Sequence, residues 1–205
     1  MALDGTYAGL LASIAGWMDR TDLTAVIPDF VIAAESRIAR DLRIRKQVAN
    51  TTLTTVSGTQ YVTLPSDFLE IENIGLSSTS PPATLSVVTP EIMDRKYPAG
   101  FNTGQPLVYA LLGDKIQFGP TPDAAYTVSL DYYQRFAAVS TATNWLLTNY
   151  PMVYMAGALA EGCMYLRDTE GVQMWAGRYQ AEVKQIQDTD DEALRSGSAM
   201  RVRAL

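Results

Sequence analysis

The chain has no histidine and a single cysteine, Cys163. The missing histidine removes the side chain whose ordinary pKa suits general-base work near neutral pH. With it go the Ser-His-Asp and Cys-His arrangements and the commonest zinc ligand. One cysteine cannot close an intramolecular disulfide, so nothing marks a secreted disulfide scaffold. Cys163 falls on the apolar face of a predicted helix and reads as a small buried hydrophobe. Long apolar runs are missing too, and no stretch approaches the roughly 18 residues of a membrane span. The opening residues, MALDGTYAGLLASIAGWMD, lack a basic leader and do not read as a signal peptide. Positive charge is scarce: Lys and Arg number 16 against 22 Asp and Glu, a net charge of 16 − 22 = −6. Such a chain is poorly suited to gripping a phosphate backbone, which disfavours a DNA-binding module.

Recognisable chemistry is scarce as well. No phosphate loop, dinucleotide fingerprint, nucleophile elbow or metal-ligand spacing occurs. Gly100 and Gly104 lack the strand-to-helix setting of a phosphate loop. The acidic run from Asp188 to Glu192 lacks the pattern of a calcium-binding loop. No cofactor and no metal is expected. Glu35, Glu161 and Glu182 leave open a hydrolase built on two carboxylates, although each reads first as an exposed or capping charge.

What the chain does have is patterned hydrophobicity: 47% of its residues are apolar, enough for one domain or two small ones. The clearest stretch is 144–186. Met152, Ala156, Leu159, Cys163 and Leu166 recur at helical spacing after Asn149, a good N-cap, and Pro151. Val172, Trp175, Tyr179, Val183 and Ile186 repeat the rhythm in a second helix from about Thr169. At the other end, 6–18 reads as a helix with Tyr7, Leu10, Leu11, Ile14, Trp17 and Met18 on one face. Another helix spans 25–42, striped by Ile27, Val31, Ala34, Ile38 and Leu42. Its end is basic: Arg37, Arg40, Arg43, Arg45 and Lys46. Positive charge suits a helix C-terminus, either as a solvated face or as a contact with an acidic neighbour.

Between these ends the texture turns to threonine, valine and turn residues. The spacing predicts a strand over 49–56, a turn at Ser57-Gly58-Thr59 and a return strand over 61–64. Leu64 to Phe68 reads as a corner, and 69–76 as a further strand. Thr89-Pro90-Glu91 starts a short helix near 90–96. Residues 107–118 form a hairpin about Gly113-Asp114. Tyr126, Val128, Leu130 and Tyr132 alternate with polar residues in a half-buried strand. The expected fold class is α+β: a helical bundle built from both chain ends, 1–46 and 144–195, with an inserted, mostly antiparallel β-rich domain over 47–143. Residues 196–205 lose the helical period and are expected to form a flexible tail.

Several stretches then combine in a recognisable order. Ile27-Pro28-Asp29-Phe30 leads a helix that ends in Leu42-Arg43-Ile44-Arg45. Leu64 to Ile71, Ile116-Gln117-Phe118-Gly119-Pro120-Thr121-Pro122, Asn144-Trp145-Leu146-Leu147 and a closing helix with Trp175 and Tyr179 follow. Over about residues 8–186 the chain resembles the head–tail adaptor proteins of short-tailed bacteriophages, the group that includes tail tubular protein A. The resemblance implies a structural virion protein rather than an enzyme. It implies a dodecameric ring between the portal protein and the tail nozzle, through which DNA passes without specific binding and with no membrane partner. Such a protein is expected at the head–tail interface of the virion, and in the host cytoplasm during assembly. Met200, Arg201, Val202, Arg203 and Leu205, with Arg40, Arg43 and Arg45, are the expected portal-binding residues. The alternative is a tail-associated cell-wall (peptidoglycan) hydrolase.

Overall fold

A computed structural model describes residues 3–78 and 83–196. The fold is α+β, with six α-helices and two four-stranded sheets among the described residues. The chain divides into two compact units. One comprises residues 1–45 and 136–205, the other residues 46–135. The second boundary falls eight residues ahead of the sequence-based one at 143/144, because residues from Phe136 onward join the helical core. Val139 is buried there, and its N–H donates to Glu35 at 2.7 Å.

The helical unit begins with α1 (Tyr7–Met18). Thr6 caps it by accepting from the Gly9 N–H at 3.0 Å. The second helix, α2 (Ile27–Asp41), buries the expected stripe of Ile27, Val31, Ala34 and Ile38, with Leu42 just past its end. After the β unit come α4 (Trp145–Asn149), α5 (Pro151–Tyr165) and α6 (Thr169–Ser196). Asn149 does not cap α5, which follows Tyr150 with no side-chain cap; Asn144 caps the separate short helix α4, its side chain accepting from the Leu147 N–H at 2.8 Å. Asn149 instead lies in the last turn of α4 and donates to the Trp145 carbonyl at 2.8 Å.

The α5 helix departs from the expected single stripe. Residues 153–160 are all buried, whereas Leu166 is exposed and Met152 and Cys163 are half-buried. It touches α1, α2, α4 and α6, so it is the hub, and a helix apolar all round is buried all round. It ends in a Schellman turn. Arg167 takes φ of 60°, its N–H reaches the Met164 carbonyl at 3.1 Å, and the Asp168 N–H reaches Cys163 at 2.9 Å. Asp168 then caps α6 through the Gly171 N–H at 3.0 Å. In α6, Tyr179, Val183 and Ile186 are buried as the spacing predicts.

The β unit contains β1 (Val48–Thr54), β2 (Tyr61–Thr63), β3 (Phe68–Leu76), β4 (Ala83–Thr84), β5 (Ser86–Val87), α3 (Pro90–Lys96), β6 (Val108–Leu112), β7 (Lys115–Gly119) and β8 (Thr127–Gln134). One sheet runs β1-β8-β3-β4 and the other β2-β7-β6-β5. All pairs are antiparallel except β5 with β6. Leu76, Val128 and Leu130 of the first sheet meet Ile116 and Phe118 of the second in one core.

The expected hairpin of β1 with β2 does not form. The first pairs with β8 and the second with β7, in different sheets. Buried polar side chains carry the chain across: Thr55 donates to the Ala124 carbonyl at 3.1 Å, and Gln60 to the Tyr97 carbonyl at 2.9 Å.

Candidate functional site

The basic end of α2 is one candidate contact surface, and the structure does not leave it as one free face. Arg37 forms an ion pair with Glu161 on α5, and its guanidinium lies 5.6 Å from the centre of the Tyr179 ring. The Tyr179 hydroxyl donates to Asp41 at 2.9 Å, so α2, α5 and α6 are tied by one polar seam. Burial, then Asp41, pushes the Tyr179 hydroxyl well above its ordinary pKa. Arg43 donates to the Ala39 and Leu42 carbonyls at 2.8 and 2.7 Å, closing the C-terminus of its own helix. Arg45 meets Asp190 twice, through its main-chain N–H and its Nε, each at 2.9 Å. The acidic neighbours of these arginines therefore lie within the same chain. Arg40 is exposed in the last turn of α2.

The three helical glutamates have separate surroundings. Glu35 accepts from the Val139 N–H, and burial raises its pKa against that bond. Glu161 pairs with Arg37, and Glu182 with Arg178 at 2.7 Å. Cys163 is half-buried against Gly171; burial first, and then Asp168, pushes its thiol up. Among the described residues no group of three or more Cys, Asp or Glu is placed to hold a metal ion, and no helix is long and apolar enough to cross a membrane. Met200, Arg201, Val202, Arg203 and Leu205, with the rest of the expected tail after Ser196, lie outside the described residues.

A different surface stands out. Trp17 is 63% exposed instead of buried in its stripe, and its ring meets Trp175 edge-on with centroids 5.2 Å apart. Met164, Tyr165 and Leu166 at the end of α5 and Met174 on α6 are exposed as well. The helical spacing hid these residues, because it cannot tell a stripe that meets a partner helix from one that runs past the helix's end. Beside Trp17 lies a hollow of about 450 Å³ lined by Leu3, Ser13, Gly16 and Trp17. Large apolar side chains grouped on a surface mark a protein that works through contacts.

These exposed apolar side chains, beside charged side chains that tie helices together, suit a protein that works through contacts. The comparison with known families is specific. A family model described as SU10 adaptor protein matches residues 5–203, and the chain belongs to that family. It is thus a phage adaptor, a head–tail component of the virion. No curated protein matches the chain.

Proposed function

We propose that the chain forms a ring between the portal protein and the tail, and that DNA passes through its middle. The family match over residues 5–203 carries this reading. The composition supports it. A conduit for DNA works best when its wall does not hold phosphate, and a net charge of −6 disfavours such a grip. The polar seam supports it as well, because a part that must resist the passage of DNA benefits from helices tied by side chains as well as packed. In this reading the chain has no reaction to catalyse, and its resemblance to the adaptors of short-tailed phages implies a dodecamer as the copy number. The segment Met200 to Leu205, with two arginines among apolar side chains, is the proposed portal anchor. Arg40 is a second contact, and Arg43 and Arg45 contribute only where their internal bonds open.

The test is an image of the particle. A ring of this chain beneath the portal, with a central opening wide enough for duplex DNA, is the expected result. A compact plug, or a location away from the head–tail junction, would rule the proposal out. Lysis of purified cell wall by the protein, lost when Glu35, Glu161 or Glu182 becomes glutamine, would replace it with the hydrolase reading.

A further inference from the structure

Four strands border the two sheets, and three of them are short: β2 has three residues, β4 and β5 two each. The fourth, β1, has seven, Val48 to Thr54. Natural edge strands are commonly blunted by charge, proline, a bulge or sheer shortness, because a row of unpaired main-chain groups is a template for another chain. The other three edges are short, and β1 has none of these devices. Its residues, Val-Ala-Asn-Thr-Thr-Leu-Thr, include no charge and no proline. Its register with β8 runs unbroken from Val48 opposite Tyr133 to Thr54 opposite Thr127.

One bond fixes which way its main-chain groups point. In the same register, the Thr55 N–H donates to the Tyr126 carbonyl at 3.0 Å. Opposed residues in an antiparallel ladder alternate between bonded and non-bonded pairs. Ala49, Thr51 and Leu53 therefore turn their N–H and C=O groups to β8, and Val48, Asn50, Thr52 and Thr54 turn theirs outward. No strand of the described residues lies on that outward side. All four outward residues are exposed. Ala49, Thr51 and Leu53 face the core side but are only half-buried, and Ala49 and Leu53 form part of the rim of the β core.

We propose that β1 of one copy pairs antiparallel with β1 of a second copy, about a two-fold axis through Thr51, and joins their first sheets into one. The strand is complementary to itself. Val48 falls opposite Thr54 of the second copy and Asn50 opposite Thr52, so outward residues meet only outward residues and exchange their N–H and C=O groups. On the core side Ala49 meets Leu53 and extends the apolar rim. Thr51 meets its own counterpart, a pair whose hydroxyls bond across strands. The facing residues carry no charge, so nothing along the strand repels. The contact lies wholly within the β units. An isologous contact of this kind closes on two copies and cannot pass head to tail around a ring. It thus goes beyond the ring reading and describes the chain before assembly, while the edge stands open.

Sedimentation of the native chain at rising concentration tests the pairing, and a shift from single to double mass is expected. A single mass throughout overturns it. Slow hydrogen exchange at the Asn50, Thr52 and Thr54 amides in a chain of single mass overturns it as well, because another segment of the same chain then covers the edge. The register is tested with Thr51→Cys in a Cys163→Ser chain. A non-bonded pair at the axis brings the two Cα atoms to about 4.5 Å, within reach of a disulfide. Mild oxidation should link this variant at least about tenfold faster than Thr52→Cys, whose opposite residue is Asn50. Equal rates overturn the contact. If Thr51→Cys does not fold, charge at the exposed Val48 and Thr54 decides. Val48→Lys with Thr54→Lys sets like charges opposite each other and should weaken the pair about tenfold, and Val48→Glu with Thr54→Lys should restore it. A double-lysine chain that pairs as tightly as the native one, or a loss that the glutamate–lysine chain fails to relieve, overturns the proposal.

Discussion

The Asn144 amide donates to the Tyr154 hydroxyl at 2.9 Å inside the helical core. The same amide reaches the Ala137 carbonyl at 2.8 Å, and its oxygen accepts from the Leu147 N–H at 2.8 Å. One buried side chain thus fixes the entry to α4, the segment before it and the hub helix α5. Asn144→Ala removes a cap worth ~1 kcal/mol. It also strands buried polar groups, at about 1–3 kcal/mol. A total loss of about 2–4 kcal/mol is expected in chemical unfolding. Tyr154→Phe, which removes one partner only, should cost about 1 kcal/mol. Equal losses for the two variants would show that the Asn144 cap contributes nothing.

Glu35 makes stability depend on pH. Burial raises its folded pKa above the ordinary carboxylate value, and the Val139 N–H only partly offsets this. The folded state therefore holds the proton more tightly than the unfolded state. Linkage then gives a contribution that is complete below the ordinary value and declines as pH rises through the raised one. Glu35→Gln keeps an acceptor for Val139 without the charge. Its stability relative to the native chain should rise as pH climbs out of the ordinary carboxylate range and through the raised value, followed by thermal melts at each pH. A difference that stays flat would mean that the carboxylate is as well solvated folded as unfolded.

Trp175 looks from its spacing like a core residue, and the structure lowers the expected cost of its loss. It is half-buried and leans on Trp17, itself 63% exposed. Trp175→Ala should cost about 1–2 kcal/mol, near the worth of an aromatic pair with partial burial. Leu159→Ala, at a site 1% exposed on α5, should cost about 2–5 kcal/mol. Urea unfolding of the two variants side by side checks the order. A Trp175 variant as unstable as the Leu159 variant would place the tryptophan within the core.

The helical periods of α2 and α6 were legible in the sequence because each has one buried stripe. So were the cap at Thr89, the hairpin about Gly113 and the alternation of β8. The pairing of β1 was not. Thr51, Leu53 and Thr55 alternate in a way that suits either sheet, and the choice rests on Thr55 and Gln60 bonding to distant main chain. The candidate site was less legible still. A run of arginines reads as an open basic face, yet Glu161 and Asp190 reach Arg37 and Arg45 across intervals of 124 and 145 residues. No local pattern encodes such pairs.

Gly157 lies at a close approach of α5 to α2 and α6, and it separates two effects that usually act together. A Cβ at this position would sit 3.0 Å from the Ala34 Cβ on α2 and 3.5 Å from the Tyr179 ring on α6. Glycine in a helix interior costs roughly 0.5–1 kcal/mol relative to alanine, so Gly→Ala ordinarily stabilises. At Gly157 the nearest atom is fixed to the α2 backbone and cannot rotate away, so the helices themselves must part. Gly157→Ala is expected to destabilise by about 1 kcal/mol and Gly157→Val by about 2–3 kcal/mol. Gly177 on α6 provides the control: it is exposed, with nothing within 4 Å of its added Cβ. Gly177→Ala should therefore stabilise by about 0.5–1 kcal/mol. Chemical unfolding of the three variants gives the signs directly. If Gly157→Ala and Gly177→Ala both stabilise, α2 has room to move away from α5, and the hub is looser than its contacts imply.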